Sequence, residues 1–314
     1  VNGAPAAANA REIVASAWQD QAVWSETAGR LKADISSWRF RAGAAGVAGA
    51  LLETLAGSLP ASGGEWASER AAIALVGAVV LAVVPYVLKT KTSRERVRDW
   101  VRARCISEAL KEAIYRYLVK APPFAAGAPP SELIRRCREV KEKGRDLSGH
   151  AAAVEPARRE RPLELTLEAY VEKRVNDQIE RYYLPKGRAN ARTAARLHRL
   201  EFWLGLAAAA LGALAGAAAS GGLPVLARLG PWVAVVTTAG GAVTAHLAAG
   251  RYDHAAMTYF GTADRLKGLR DEWLAEPGRL EPGRAAKFVD DCEHAISTEN
   301  EAWLAEWTLD AANP

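Results

Sequence analysis

Glu53 stands in an otherwise uncharged apolar run, Ala42 to Leu59. An ionisable group at the centre of a bilayer costs about 2.5–3.5 kcal/mol on insertion scales, and such groups face a bundle interior or a wet path. Six residues short of Leu59, it would equally cap or snorkel at the outer interface, and both placements stay open. Thr237, Thr238, Thr244 and His246 put polar groups into a later apolar run. Thr237 with Thr244, and Thr238 with His246, are spaced to share helix faces. Such groups could line a path for ions or water, although Thr also bonds back to its own helix. Four thin helices enclose little space, so a pore lined this way needs several subunits.

Two basic rows offer a second chemistry. Arg94, Arg98 and Arg102 share one helix face, and Arg188, Arg192, Arg196 and Arg199 share another. They suit an anionic ligand such as a nucleotide or oligonucleotide signal. They suit anionic lipid as well, at about 1 kcal/mol per basic residue near the surface. Tyr182 and Tyr183 beside Lys186 could stack on a base or pack in a core. Asp290, Asp291, Glu293 and His294 read as the solvated face of a closing helix.

Other chemistry has no residues to carry it. There is no P-loop, HExxH, GxSxG elbow or dinucleotide fingerprint, so an enzyme is not expected. The five histidines are scattered without metal-ligand spacing, and no cofactor is expected. Cys105, Cys137 and Cys292 are far apart and odd in number, which supports neither a disulfide framework nor a zinc site. The opening residues lack the basic start, apolar core and cleavage site of a secretion signal. The first ten read as a disordered lead-in. A net charge of +5 over 314 residues is modest, and its placement matters more than its size.

The elements that must hold these residues are four apolar blocks. They run from Ala42 to Leu59, Ala71 to Leu88, Phe202 to Ala219 and Leu229 to Ala249. Each approaches the ~20 residues that cross a ~30 Å hydrocarbon core, the first being the weakest. Connections at Pro60–Arg70 and Ser220–Arg228 are short, so the blocks form two antiparallel hairpins. Arg39, Arg41, Lys89, Lys91 and the two basic rows flank the open ends, whereas the turns carry only Arg70 and Arg228. The positive-inside rule places the turns outside and both termini in the cytoplasm. The expected fold is therefore all-α and integral to the inner (cytoplasmic) membrane, with four spans and long amphipathic helices in the cytoplasm. Trp38, Tyr86, Trp203 and Trp232 fall where an aromatic belt would sit. Small residues, the pair Gly212 with Gly216 and the recurrent Gly43, Gly46 and Gly49 of the first block, permit close helix packing and oligomers without specifying them.

The chain repeats its plan. Residues 1–120 and 163–314 each hold a leading helix, a hairpin and a following amphipathic helix, and 121–162 forms a Pro/Gly-rich linker around a helix from Ser131 to Arg145. Val97, Val101, Ile106, Leu110, Ile114 and Tyr117 give the first following helix one apolar face. Val171, Val175, Ile179 and Tyr182 do so for the second leading helix. Tyr252, Met257, Phe260, Leu266, Leu269 and Trp273 continue the fourth block, and Phe288, Cys292, Ile296, Trp303 and Trp307 line a closing helix.

The segment YVEKRVNDQIERYYLPKGRANARTAARLHRLEFW, followed by a hairpin and then FVDDCEHAISTENEAWLAEW, resembles the SLATT family, the SMODS- and SLOG-associating two-transmembrane effector domains. The first half, with WQDQAVWSETAGRLK ahead of its hairpin, is similar to a more divergent copy in tandem. The resemblance implies a pore-forming or membrane-disrupting effector of bacterial antiviral defence, working beside a nucleotidyltransferase or nucleotide sensor. Two functions follow as expectations. One is a homo-oligomeric channel, gated by a cytoplasmic signal derived from nucleotides, that depolarises the membrane. The other is a non-conducting, membrane-anchored scaffold whose cytoplasmic helices recruit a partner.

Overall fold

The protein is described by a computed structural model covering residues 3–59, 66–124, 127–155, 165–220 and 228–309, with side chains for 9–298 of these. Every regular element among the described residues is helical. Helix α1 spans Gly3–Ser58, α2 Ala67–Lys91, α3 Arg94–Val119, α4 Pro130–Glu142 and α5 Ser148–Ala152. Helix α6, Leu167–Tyr170, opens on Thr166, whose hydroxyl accepts from the Ala169 amide at 3.2 Å. It continues as π-helix through Val171–Asn176 and Gln178–Tyr183 into α7, Leu184–Ser220. Helices α8 (Gly230–Gly250), α9 (Tyr252–Ala275) and α10 (Pro282–Leu309) complete the chain. Arg251, at a left-handed φ of 48°, separates α8 from α9.

The lead-in is thus helical from Gly3, where disorder was expected. The linker helix runs Pro130–Glu142 with proline at its first turn, a position where the missing N–H is no loss. Part of the second linker is helical as α5. The turn residues 60–65 and 221–227, and the side chains of Trp303 and Trp307, lie outside the described residues.

Two compact units divide the chain, and each draws on both sequence halves. The first comprises residues 1–33, 94–188 and 256–314. The second comprises 34–93 and 189–255.

In the first unit, α3 is the central element. Val97, Val101, Ile106, Leu110 and Ile114 are buried as their spacing predicts. Tyr115, rather than Tyr117, completes the face. An edge-to-face chain of rings runs from Trp18 to Tyr115, Tyr170 and Phe288, which stacks on Trp273. Gly144 lets the chain pass Ile106 and Trp24, where a Cβ would come within 2.2 Å of Ile106 Cδ1.

The π-helical stretch explains a mismatch in the leading-helix stripe. Bonding from i to i+5 puts more than four residues in each turn. The buried set is therefore Tyr170, Val171, Arg174, Val175, Gln178, Ile179 and Tyr183. Tyr183 replaces the expected Tyr182, because 171, 175, 179 and 183 advance by four. On α9 the buried face is Tyr259, Ala263, Leu266 and Trp273, whereas Met257 is 67% exposed. On α10, Phe288, Cys292 and Ile296 are buried as expected. Glu293 is buried with them, against the solvated reading of that acidic cluster. Its carboxylate takes two bonds from Arg174 and one from the Tyr170 hydroxyl at 3.0 Å.

In the second unit, contacts run from α2 to α1, from α1 to α8 and from α8 to α7. A Cβ on Gly49 would meet Leu81 Cγ at 2.7 Å, and one on Gly77 would meet Glu53 Oε1 at 2.9 Å. Thr54 donates to the Pro231 carbonyl, and Arg39 donates to Ala249 O at 2.9 Å. Among the described residues, three helical stretches are long and apolar enough to cross a membrane: Ala67–Val119, Leu167–Ser220 and Gly230–Ala275. Their most apolar windows are only 6% buried. The first block, in α1, is not among them: Glu53 and its four glycines lower its hydropathy.

Candidate functional site

The polar residues expected in the fourth block lie along α8 on two faces. Thr237 and Thr244 are exposed, and Thr238 and His246 are half-buried. Thr237 donates to Val233 O at 2.8 Å and Thr238 to Ala234 O at 2.7 Å, each closing back on its own helix. Thr244 bonds back to Gly240 O and also donates to the Glu201 carboxylate on α7.

Glu201 opens a small network that the sequence reading missed. His198 Nδ1 lies 3.6 Å from it, and His198 Nε2 lies 3.1 Å from Asp253. His246 Nε2 and the Tyr252 hydroxyl are 3.0 Å apart. The available signal was that Glu201 is the only acid between Pro185 and Ser220. It sits one residue before the apolar block, where it reads as a boundary.

Glu53 is half-buried against Gly77 of α2, its hairpin partner. Its neighbour Thr54 is buried and reaches α8. No described hydrogen bond or ion pair joins Glu53 to the threonines of α8, so the five candidate lining residues do not form one cluster within a chain.

Outward faces in this unit differ in chemistry. On α2 the exposed side chains include the large apolar Leu75, Val76, Val79, Val83 and Tyr86, among the exposed alanines Ala71, Ala72, Ala78 and Ala82. On α8 they are Ala234, Thr237, Gly241, Thr244, Ala245 and Ala248. Those positions recur at three- and four-residue steps, one continuous helix face of small and hydroxyl-bearing residues. Trp38 sits beside two cations, Arg41 at 5.0 Å and Lys91 at 5.6 Å from its ring centre.

The expected glycine contacts are placed differently. Gly43 approaches α8, with a built Cβ 3.7 Å from Ala242 Cβ, but Gly46, Gly212 and Gly216 have nothing within 4 Å of theirs. Close approach within the first hairpin falls to Gly49, one of the recurrent glycines of the first block, and to Gly77. Those two residues sit opposite each other across the α1–α2 contact, which spacing within one helix cannot reveal.

The basic rows are also split. Arg102 is committed inside its unit, bonded twice to Asp146 at 2.6 and 2.7 Å and once to Lys143 O at 2.8 Å. Arg94 and Arg98 remain exposed on α3, as do Arg188, Arg192, Arg196 and Arg199 on α7. Tyr182 and Tyr183 pack edge-on against each other and near Tyr259, as a core cluster does. The cysteines are free thiols, with Cys137 and Cys292 buried.

Two family models match the chain. Residues 170–303 match the SMODS and SLOG-associating 2TM effector domain 1, a SLATT domain. Residues 20–131 match DUF4231, described as a protein of unknown function. No curated protein and no solved structure matches the chain.

Proposed function

On the premise that residues 170–303 carry a SLATT effector domain, we propose that the protein is a homo-oligomeric pore or channel of the inner membrane. It crosses four times, with both termini in the cytoplasm, and depolarises the membrane in antiviral defence when a cytoplasmic signal reaches it. A nucleotide or oligonucleotide is that signal, made or sensed by a nucleotidyltransferase or sensor partner.

The carrying observation is the contrast between α2 and α8. A helix facing lipid gains by presenting large apolar side chains, as α2 does. Small residues and hydroxyls instead allow close contact with another helix, or line water. The face from Ala234 to Ala248 therefore belongs against neighbouring subunits or around a shared path, with Thr237 and Thr244 directed to it. In this arrangement Glu53, packed on Gly77, is an ionisable group inside a hairpin rather than the lining itself. The exposed arginines of α7 supply topogenic charge and contact with anionic lipid.

The test is to purify the protein in detergent, size it by light scattering, and record planar-bilayer currents from the same peak. A discrete multi-subunit ring with unitary currents, altered by Thr244→Val, is the expected result. A monomer or dimer that never conducts, with candidate nucleotides present or absent, overturns the reading and favours the scaffold.

A further inference from the structure

We propose that Trp38, Arg41 and Lys91, at the open end of the first hairpin, form a site for the phosphate of an anionic phospholipid. Helix register brings the three together. Gly49 lies against Leu81 and Gly77 across the α1–α2 contact. About three turns further toward the open end of this antiparallel pair, the same faces present Trp38 on α1 and Lys91 on α2. The Lys91 ammonium lies 5.6 Å from the centre of the Trp38 ring, and the guanidinium of Arg41, one turn on along α1, lies 5.0 Å from it. Both distances are within the reach of a cation–π attraction, about 6 Å. All three residues belong to the second unit.

Two like charges held at one ring repel each other, and no described carboxylate neutralises them. Among the described residues, neither Arg41 nor Lys91 makes an ion pair or a hydrogen bond. The sequence has no acid between Asp34 and Glu53, nor between Glu69 and Glu95. Other cations are committed: Arg102 to Asp146, Lys141 to Asp20, and Arg39 to the Ala249 carbonyl. The level of the pair along the helices points to a ligand. The charge-free run of α2 closes at Leu88, and Lys89 follows it, so a membrane crossed by α2 has its headgroup layer here. Trp38 is half-buried at that level, and its N–H, which can only donate, makes no hydrogen bond among the described residues. Val83, Tyr86 and Leu88 are exposed just before Lys89, an apolar surface for acyl chains next to the charges.

A ligand for this place carries phosphate and hydrocarbon together. A guanidinium fork and an ammonium both give phosphate oxygens charge-assisted bonds, and the phosphate offsets the repulsion between them. A headgroup with an ammonium of its own is repelled by Arg41 and Lys91, so a zwitterionic lipid gains less than an anionic one. Free phosphate has no chains to lay on α2 and meets the full screening of water and salt. The arginines of α7 stand in a row on one helix, whereas here both arms of a hairpin supply the charge. An occupied site therefore fastens α1 to α2 at the membrane edge. The inference goes beyond the channel reading and stands on membrane placement alone, so it is tested without currents.

The experiment is native mass spectrometry of the full-length protein in detergent, titrated with dioctanoyl phosphatidylglycerol, dioctanoyl phosphatidylcholine or glycerol phosphate. The quantity read is the dissociation constant of the first molecule bound. Phosphatidylglycerol should bind saturably, with the zwitterionic lipid and the chain-free phosphate each at least about tenfold weaker. Arg41→Gln/Lys91→Gln should weaken phosphatidylglycerol at least about tenfold, as loss of charge-assisted hydrogen bonds does. Trp38→Leu should weaken it roughly threefold, through loss of the cation–π platform. Arg135→Gln/Arg138→Gln removes the same charge from the exposed face of α4 in the first unit and should change nothing. Circular dichroism checks that each variant is folded, and if the double variant is not, Lys91→Gln alone carries the test. Equal affinity for the two lipids overturns the proposal, and so does an equal loss from the α4 pair, which would mean net charge only. Glycerol phosphate bound as tightly as the lipid also overturns it and assigns the site to free phosphate. A chain that binds phosphatidylglycerol here and never conducts leaves this site standing and removes the channel.

Discussion

Arg174 and Glu293 meet through two hydrogen bonds, Nε to Oε1 at 2.9 Å and Nη2 to Oε2 at 2.7 Å, across 119 residues of chain. Tyr170 and Glu108 approach the same pair, and Arg174 lies 5.0 Å from the centre of the Tyr115 ring. With its amide oxygen turned to the cations, Gln178 accepts from Lys111 and Arg174. This cluster ties the π-helical segment to α10.

Removing one member of the pair should be far worse than removing both. Glu293→Ala leaves a guanidinium buried without its counter-charge, a loss of about 3–5 kcal/mol. The combined change Arg174→Met/Glu293→Leu should recover most of it. Unfolding followed by far-UV circular dichroism in detergent checks the ordering, and a double variant less stable than Glu293→Ala would contradict it.

The π-helical register gives a comparison between adjacent tyrosines. Tyr183 is 1% exposed and Tyr182 is half-buried. Tyr183→Ala should therefore cost about 3–5 kcal/mol, in the range for large aromatic truncations. Tyr182→Ala should cost clearly less. Equal losses in the same unfolding assay would mean that the helix keeps an α register there.

Glycines separate packing within the chain from packing between chains. Gly49→Leu would drive a side chain into Leu81, and an overpacked contact of this kind costs about 1–3 kcal/mol. A Cβ at Gly212 meets nothing within 4 Å among the described residues, so Gly212→Ala should leave the protomer at least as stable. Light scattering then reports whether Gly212 serves the oligomer: a smaller particle with unaltered circular dichroism is the expected outcome.

Thiol reactivity should follow burial. Desolvation pushes Cys137 up to about 11, and Cys292 rises further for the same reason. At pH 8 only roughly a thousandth of a thiol with that pKa is ionised, and the thiolate is the reacting form. Iodoacetamide at pH 8 should label Cys105 well before the other two, as read by peptide mass spectrometry. Both folded pKa values lie above those of the unfolded chain. Their contribution to stability is therefore complete at neutral pH and is lost as pH rises through 9 to about 11. Alkaline unfolding should accordingly move to higher pH in Cys137→Ala.

Much of this molecule could be read from residues in order along the chain. Runs without charge of about 20 residues marked helices able to cross a membrane, since a helix satisfies its backbone within one segment in hydrocarbon. The spacing of Val97, Val101, Ile106, Leu110 and Ile114 fixed a buried face, because a regular α-helix returns every 3.6 residues. The segment that resembles SLATT effectors is the one its family model matches. What the order of residues left undecided were relations between distant segments. Glu293 reads as solvated until Arg174 arrives from another helix to neutralise it. Tyr183 becomes the buried tyrosine only because i to i+5 bonding changes the turn. Glu201 looks like the edge of an apolar block until Thr244 bonds to it across a hairpin. The physical reason is that a periodicity read along the chain assumes one regular helix, whereas a charge such as Glu293 is buried only where tertiary packing brings it a partner.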